Sequence, residues 1–335
     1  MERVSRKKEP LISIIIPIYN GEKYIQKTLD KLTNINSSKE IIVINDCSSD
    51  NSLDLLNKYK KNIILINLKE NQGVSNARNL GIQKASGKYV GFVDVDDSFE
   101  NEIFEKMLSK IEKTNSDVCI CNYDEFFEIN NIITKSKYVY ENETLNQNEA
   151  LSNYLIDNIS PAIWDKIYKT EIVKDIKFNK DLAIGEDILF CLNVFIKCKS
   201  FSFVNEYLYH YLQQSNSVMH TVSPKLLQFR DVILNIEAKD REYLEKNYSE
   251  EFNFFKLEMI TRGIHSLSSI CNKKNKNQVI RYLKTYCGKN DLKKILKNKY
   301  YSKTIKLEIL ILKTLGVKFH LFMTPIYKII RNKIR

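Results

Sequence analysis

Several charged side chains in this sequence have the types and spacing to do chemistry. Asp94, Asp96 and Asp97 follow the apolar run Tyr89 to Val93, Asp46 follows Ile41 to Asn45, and Glu186 and Asp187 open the apolar segment Ile188-Leu189-Phe190. Carboxylates alone repel a pyrophosphate. A divalent cation reverses that, because hard carboxylate oxygens and phosphate oxygens can share one Mg2+ or Mn2+. In an extended segment Asp94 and Asp96, two apart, face the same way. Arg78 adds a cation that keeps its charge and suits an anionic ligand. Glu186 and Asp187 are expected at the first turn of a helix, where the dipole favours an ionised carboxylate that can serve as a base.

The elements that must position these residues alternate. Leu11 to Pro17, Glu40 to Asp46, Ile63 to Asn67 and Tyr89 to Asp94 read as short strands, and the almost wholly apolar first run suits a strand covered on both faces. Helical segments follow from Glu22, after Ser49 or Asp50, and after Gly73, the last ending at Gly87 in a left-handed conformation. This order implies a parallel sheet with right-handed crossovers, whose ligands bind outside the carboxyl ends of the strands. Ile18-Tyr19-Asn20-Gly21-Glu22 after the first strand is not GxGxxG, and no GxxxxGK[ST] occurs. Neither a dinucleotide turn nor a triphosphate loop is present.

Four blocks, taken in order, carry a resemblance. Pro17-Ile18-Tyr19-Asn20, Val43 to Asp50, Asn71 to Gly81 and Phe92 to Asp97 resemble the signature series of the family-2 glycosyltransferases, inverting enzymes of GT-A fold. The resemblance extends over about residues 11 to 215. It implies an α/β chain of GT-A type, a Rossmann-like mixed sheet flanked by helices, with a C-terminal helical extension. Pro17 and Tyr19 would line the nucleoside pocket. Asp46 would accept from a uracil imide N–H, and Arg78 would approach the base or phosphates. Asp94 would contact the ribose and Asp96 would hold Mn2+ or Mg2+, with Asp97 beside them. Ile163-Trp164-Asp165-Lys166-Ile167-Tyr168, entering a helix, and Gly185-Glu186-Asp187 resemble later segments of the same family. On that likeness Asp187 is the general base for an acceptor hydroxyl, Glu186 its neighbour, and Trp164, Lys166 and His210 lie on the acceptor side. Ser215-Asn216-Ser217-Val218 resembles the tail that closes over the nucleotide sugar. The reading that follows is a UDP-sugar-dependent transferase extending a bacterial surface glycan or lipid-linked glycan. A sugar nucleotidyltransferase would want a Gly-rich basic loop after the first strand. A non-catalytic binder descended from the same fold would have no need of this set of acids.

Strands are also expected at Asp117 to Tyr123, Thr134 to Tyr140 and Tyr207 to Leu212, the last alternating strictly. Beyond Ser223-Pro224 the chain reads as helical, with the polar 272–277 stretch as a candidate boundary. The expected division is a tail at 1–10, a transferase domain at 11–222 with its nucleotide-binding half at 11–97, and a helical region at 223–335. Of the formal charge of +11, residues 301–335 hold +7. That concentration argues against nucleic acid as a partner, which wants a basic patch interleaved with a motif. No CxxC pair stands among the seven cysteines, which read as reduced thiols of a cytoplasmic protein. No cleaved signal is expected behind the charged Met1 to Pro10, and the apolar run Ile305 to Ile330 is interrupted by lysines. The basic, apolar tail reads either as a peripheral contact with the inner membrane face or as a helix packed on its predecessors.

Overall fold

The computed structural model describes residues 10–128, 132–213, 224–286 and 288–334. Its centre is a mixed sheet. β1 (Ile12–Ile18), β2 (Lys39–Asn45), β3 (Ile64–Asn67) and β4 (Tyr89–Phe92) run parallel in the order β3-β2-β1-β4. All of β1 except half-buried Pro17 is buried, as a strand between two helical layers requires. The crossovers are α1 (Glu22–Asn34), α2 (Ser52–Lys58) and α3 (Val74–Lys84). α3 stops at Lys84, short of Gly87, and Gly87 is not left-handed. Its constraint is proximity, since a Cβ there would come within 2.8 Å of the Ser13 backbone nitrogen and Ile12 carbonyl carbon.

The sheet continues beyond β4. β5 (Ser98–Phe99), α4 (Ile103–Thr114), β6 (Val118–Phe127), β7 (Ile132–Lys135), β8 (Thr144–Asn146), α5 (Gln147–Leu155), β9 (Lys166–Lys169), α6 (Thr170–Val173), α7 (Glu186–Lys197) and β10 (Ser200–Gln213) follow in the chain. Spatially the path runs β4-β9-β6-β10-β5, with β7 on β6 and β8 on β10. β9 is antiparallel to both its neighbours, β4 and β6. That insertion makes the sheet mixed, and it occupies part of the segment expected to lead into a helix. The strand expected at Thr134 to Tyr140 is instead the shorter β7, and 136–143 is irregular.

Two compact units emerge. One holds the sheet: the chain through Leu151, then Ser160–Asp181 and Glu186–Gln213. The other holds Ser152–Ile159, Leu182–Gly185 and the chain after Gln213. In it a 3-10 turn at Pro224–Gln228 leads to α8 (Phe229–Leu234), α9 (Ala238–Asn247), α10 (Ser249–Ser269), α11 (Lys276–Tyr286), α12 (Lys289–Lys297) and α13 (Lys303–Ile334). Phe252, Phe255 and Met259 are buried on α10. The polar 272–277 stretch joins α10 to α11 inside this unit and is no boundary. Ser215-Asn216-Ser217-Val218, His220, Ser223 and the expected division at 222/223 lie outside the described residues.

Candidate active site

The loops after β1 and β2 are stitched to each other. Asn20 sits at φ +53, Ser48 Oγ accepts its backbone N–H (2.9 Å), and Asn20 Oδ1 accepts the Ser49 N–H (2.8 Å). Gly21 N–H donates to Ser52 Oγ at 2.9 Å. These bonds hold the Tyr19 ring at the rim, 55% exposed, with Pro17 half-buried in the strand below. Asp46 is almost wholly buried. Its Oδ1 accepts the Gln72 N–H at 2.7 Å and its Oδ2 the Gly73 N–H at 2.8 Å. It therefore fixes the turn that starts α3, and any base it reads must use lone pairs those two bonds leave over.

Arg78, one helical turn into α3, does not reach toward open space. Its side chain is 7% exposed, with Nη2 3.1 Å from Asp94 Oδ1 and Nη1 3.0 Å from Glu186 Oε1. The guanidinium carbon lies 5.5 Å from the centre of the Phe178 ring. Asn79 places that ring: its amide donates to Phe178 O at 2.9 Å, and its Oδ1 accepts the Phe178 N–H at 2.8 Å. Arg78 thus joins an acid after β4 to an acid at the start of α7, Glu186 lying 108 residues beyond Arg78 in the chain. The flat, two-pronged guanidinium suits this bridging role.

Glu186 departs from the expectation drawn from the helix dipole. Burial, and then the neighbouring Asp187 charge, raise its pKa to about 7 against the pull of Arg78. Desolvation outweighs the dipole here because the side chain is only 13% exposed. Asp187, half-buried on the same turn, accepts the Ile188 N–H on Oδ1 at 2.7 Å. One acid poised near neutrality beside a second is a proton-handling arrangement.

The aspartates after β4 do not form an extended segment. Asp97 N–H donates to Asp94 O at 3.2 Å, closing a turn, so strand alternation does not govern how Asp94 and Asp96 face. Asp97 is buried: Tyr209 Oη donates to its Oδ2 at 2.7 Å and Leu212 N–H to its Oδ1 at 2.8 Å. Burial, with Asp94 and Asp96 beside it, pushes Asp97 well above the usual carboxylate range. Tyr209 Oη also accepts the Asp94 N–H at 3.2 Å. The same tyrosine ring stacks on Trp164, centroids 4.4 Å apart, and Tyr211 stacks on Trp164 at 5.4 Å. Trp164, half-buried, thus lies across two parallel rings beside the acids. Tyr209 was not among the residues expected at the site, although the alternation of Tyr207 to Leu212 signals it.

Two acceptor-side expectations are corrected. Lys166 is fully buried, and its ammonium donates to Ser160 O (2.8 Å), Ala162 O (2.7 Å) and Asp165 Oδ1 (2.7 Å). It has no free donor for a ligand and instead shapes the loop that carries Trp164. His210 alternates away from Tyr209 and Tyr211. Its ring nitrogens are 2.8 Å from Asp124 Oδ1 and 3.0 Å from Glu100 Oε1, and these bonds, Asp124's first, raise its pKa. Both nitrogens are engaged, so neither is left for an acceptor.

Among the described residues no group of three or more His, Cys, Asp or Glu side chains could enclose a metal ion. Half-buried Asp96 supplies hard oxygen donors of the kind Mg2+ and Mn2+ prefer. A cation held there must complete its shell with phosphate oxygens and water, the usual manner of Mg2+.

This topology and this set of acids define a GT-A fold. In a crystal structure of residues 1–349 of Staphylococcus aureus TarS with UDP-GlcNAc, 95% of this chain superposes on 91% of that one, with TM-score 0.64 and 19% identity. The family described as Glycosyl transferase family 2 matches residues 13–176. Cholesterol galactosyltransferase of Borreliella burgdorferi is 30% identical over 224 residues, which are 63% of each chain. The poly(ribitol-phosphate) beta-glucosyltransferase of Bacillus spizizenii is 32% identical over 250 residues, 70% of this chain and 38% of that protein. The chain belongs to glycosyltransferase family 2. It spans less than two thirds of the length of both these relatives.

Proposed function

We propose that this protein transfers a sugar from a UDP-sugar to a hydroxyl of a surface glycan or lipid-linked glycan, with inversion, in a single displacement. One observation carries the reading: Arg78 joins Asp94 of the donor-side turn to Glu186 at the start of α7, next to Asp187. The acceptor hydroxyl gives its proton to the Asp187 carboxylate as its oxygen bonds to the anomeric carbon. The bond from that carbon to the β-phosphate oxygen breaks, and UDP leaves with the electron pair. Tyr19 packs on the base, Asp46 reads it, and Trp164 over Tyr209 and Tyr211 offers a flat apolar wall to a sugar ring. Asp96 would hold Mg2+ or Mn2+, which would supply positive charge against the departing diphosphate. The TarS structure with UDP-GlcNAc supports a uridine donor, and the relatives named for cholesterol and poly(ribitol phosphate) support an envelope acceptor.

A panel of nucleotide sugars with Mn2+ or Mg2+, read as nucleoside diphosphate released, identifies the donor. With that donor, Asp187→Asn keeps shape and donor affinity, and turnover falls by about 10² to 10⁴, the usual worth of positioned proton transfer. Unchanged turnover in Asp187→Asn with a crippled Glu186→Gln would reverse the two roles.

A further inference from the structure

We infer that the outer face of α13 docks on an anionic lipid bilayer, lying along it. Leu307, Leu310, Leu315, Phe319, Phe322 and Ile326 make up half of the twelve large apolar residues exposed among the described residues. All six fall on α13, three on each side of Gly316, where the helical backbone is interrupted, and Phe322 is 73% exposed. Folding normally hides such side chains, so a cluster of them marks a surface with a partner.

The inner face of α13 is already occupied. Glu308, Ile309 and Leu312 are buried on the first half and His320, Leu321 and Thr324 on the second, spaced by one, three and four. His320 Nε2 lies 3.0 Å from Ser268 Oγ on α10, and Glu308 Oε2 lies 3.3 Å from His265 Nε2 on the same helix. The exposed stripe runs opposite. In the first half it carries Leu307 and Leu310 with Lys303 and Lys313, and in the second Lys318, Phe319, Phe322 and Ile326.

By length and composition alone, Lys303–Ile326 is long and apolar enough to cross a membrane. Two features argue against crossing. Gly316 breaks the helical backbone at φ +81, ψ 175, and a span with freed backbone groups is penalised in hydrocarbon. The buried stripe also carries Glu308 and His320, which crossing would pull from α10 into lipid. A surface orientation leaves both in place and puts only the outer apolar side chains at the headgroup boundary.

Charge selects the partner. Residues 301–335 hold +7 of the chain's +11, and lysines beside an apolar stripe are drawn to anionic headgroups. A second copy meeting this face would set lysines against lysines, a repulsive arrangement. An anionic bilayer meets both the charge and the apolar surface.

The experiment is flotation of the full chain with phosphatidylglycerol-containing vesicles and with phosphatidylcholine vesicles. Association is expected with the first only, and weakened by salt as the Debye length shrinks. The double variant Phe319→Glu, Phe322→Glu alters only exposed positions and is expected to lower partitioning by about tenfold or more. Leu307→Glu, Leu310→Glu does the same from the other half, should the first pair fold poorly by circular dichroism. Wild-type protein left unbound by anionic vesicles at low salt would overturn the inference. So would a well-folded charged variant that floats like wild type, or a wild-type dimer without vesicle affinity that the variant converts to monomer. Vesicle binding is read without any transfer reaction, so its failure leaves the proposed chemistry standing.

Discussion

Arg78 and Lys166 are both buried cations with carboxylate partners, yet their surroundings differ. Lys166 and Asp165 are sealed, with no side-chain exposure, and the ammonium's other bonds go to backbone carbonyls four and six residues back. Arg78 divides its two Nη groups between acids from distant elements, and Asp94 keeps 26% of its side chain open. The sealed pair satisfies itself and holds a loop. The open cluster leaves acid surface where a substrate can change its charge balance. An acid and a base in a sequence look alike in both settings, and what separates structure from chemistry is how far apart in the chain the partners lie and whether water reaches them.

Breaking the sealed pair is expected to have the largest effect. Lys166→Met strands Asp165, which burial already pushes above its ordinary range, and urea unfolding should show a loss of about 3–5 kcal/mol. The double change Asp165→Asn, Lys166→Met should recover part of that loss, and no recovery would mean the carbonyl bonds matter more than the ion pair. The open cluster should be sensed through pH. Glu186 is held at about 7 against an ordinary 4.5, so its contribution to stability is full below about 4.5 and is lost as pH rises through about 7. Wild-type protein should therefore lose stability relative to Glu186→Gln between those values, by an amount on the order of 1–3 kcal/mol. A difference flat across that range would place Glu186 with the sealed kind. The smallest effect is expected at Tyr209→Phe, which removes one donor from buried Asp97 and one acceptor from the Asp94 N–H. Stability should fall by about 1–2 kcal/mol, with a rise in KM for the donor as the turn carrying Asp94 and Asp96 loosens.

The first four strands were legible because their signal is local: short apolar runs followed by Asp46 and Asp94 give the parallel part of the sheet and the edge that carries these acids. The later sheet was harder. β9 is the four residues Lys-Ile-Tyr-Lys, too short to show a period and flanked by charge, so antiparallel pairing on both sides decides its state where propensity does not. Lys166 read as a ligand-facing cation because sequence conveys charge but not burial. His210 was misplaced although alternation from Tyr207 puts it opposite Tyr209 and Tyr211. The pairing of Arg78 with Glu186 had no sequence signal, since nothing local links residues 108 apart.

That separation bears on how the protein is made. Asp97 emerges from the ribosome long before Tyr209 and Leu212, whose bonds hold it. The bonds from Tyr209 and Leu212 that secure the turn close loops of 112 and 115 residues. Such closures come late in folding, after local strand and helix contacts. A nascent chain that has completed β1 to β4 thus carries Asp94 with Arg78 already made, but Asp97 without its two donors, and the turn is secured only when β10 is released and seats against β6. Synthesis order separates acquiring the fold from acquiring the site.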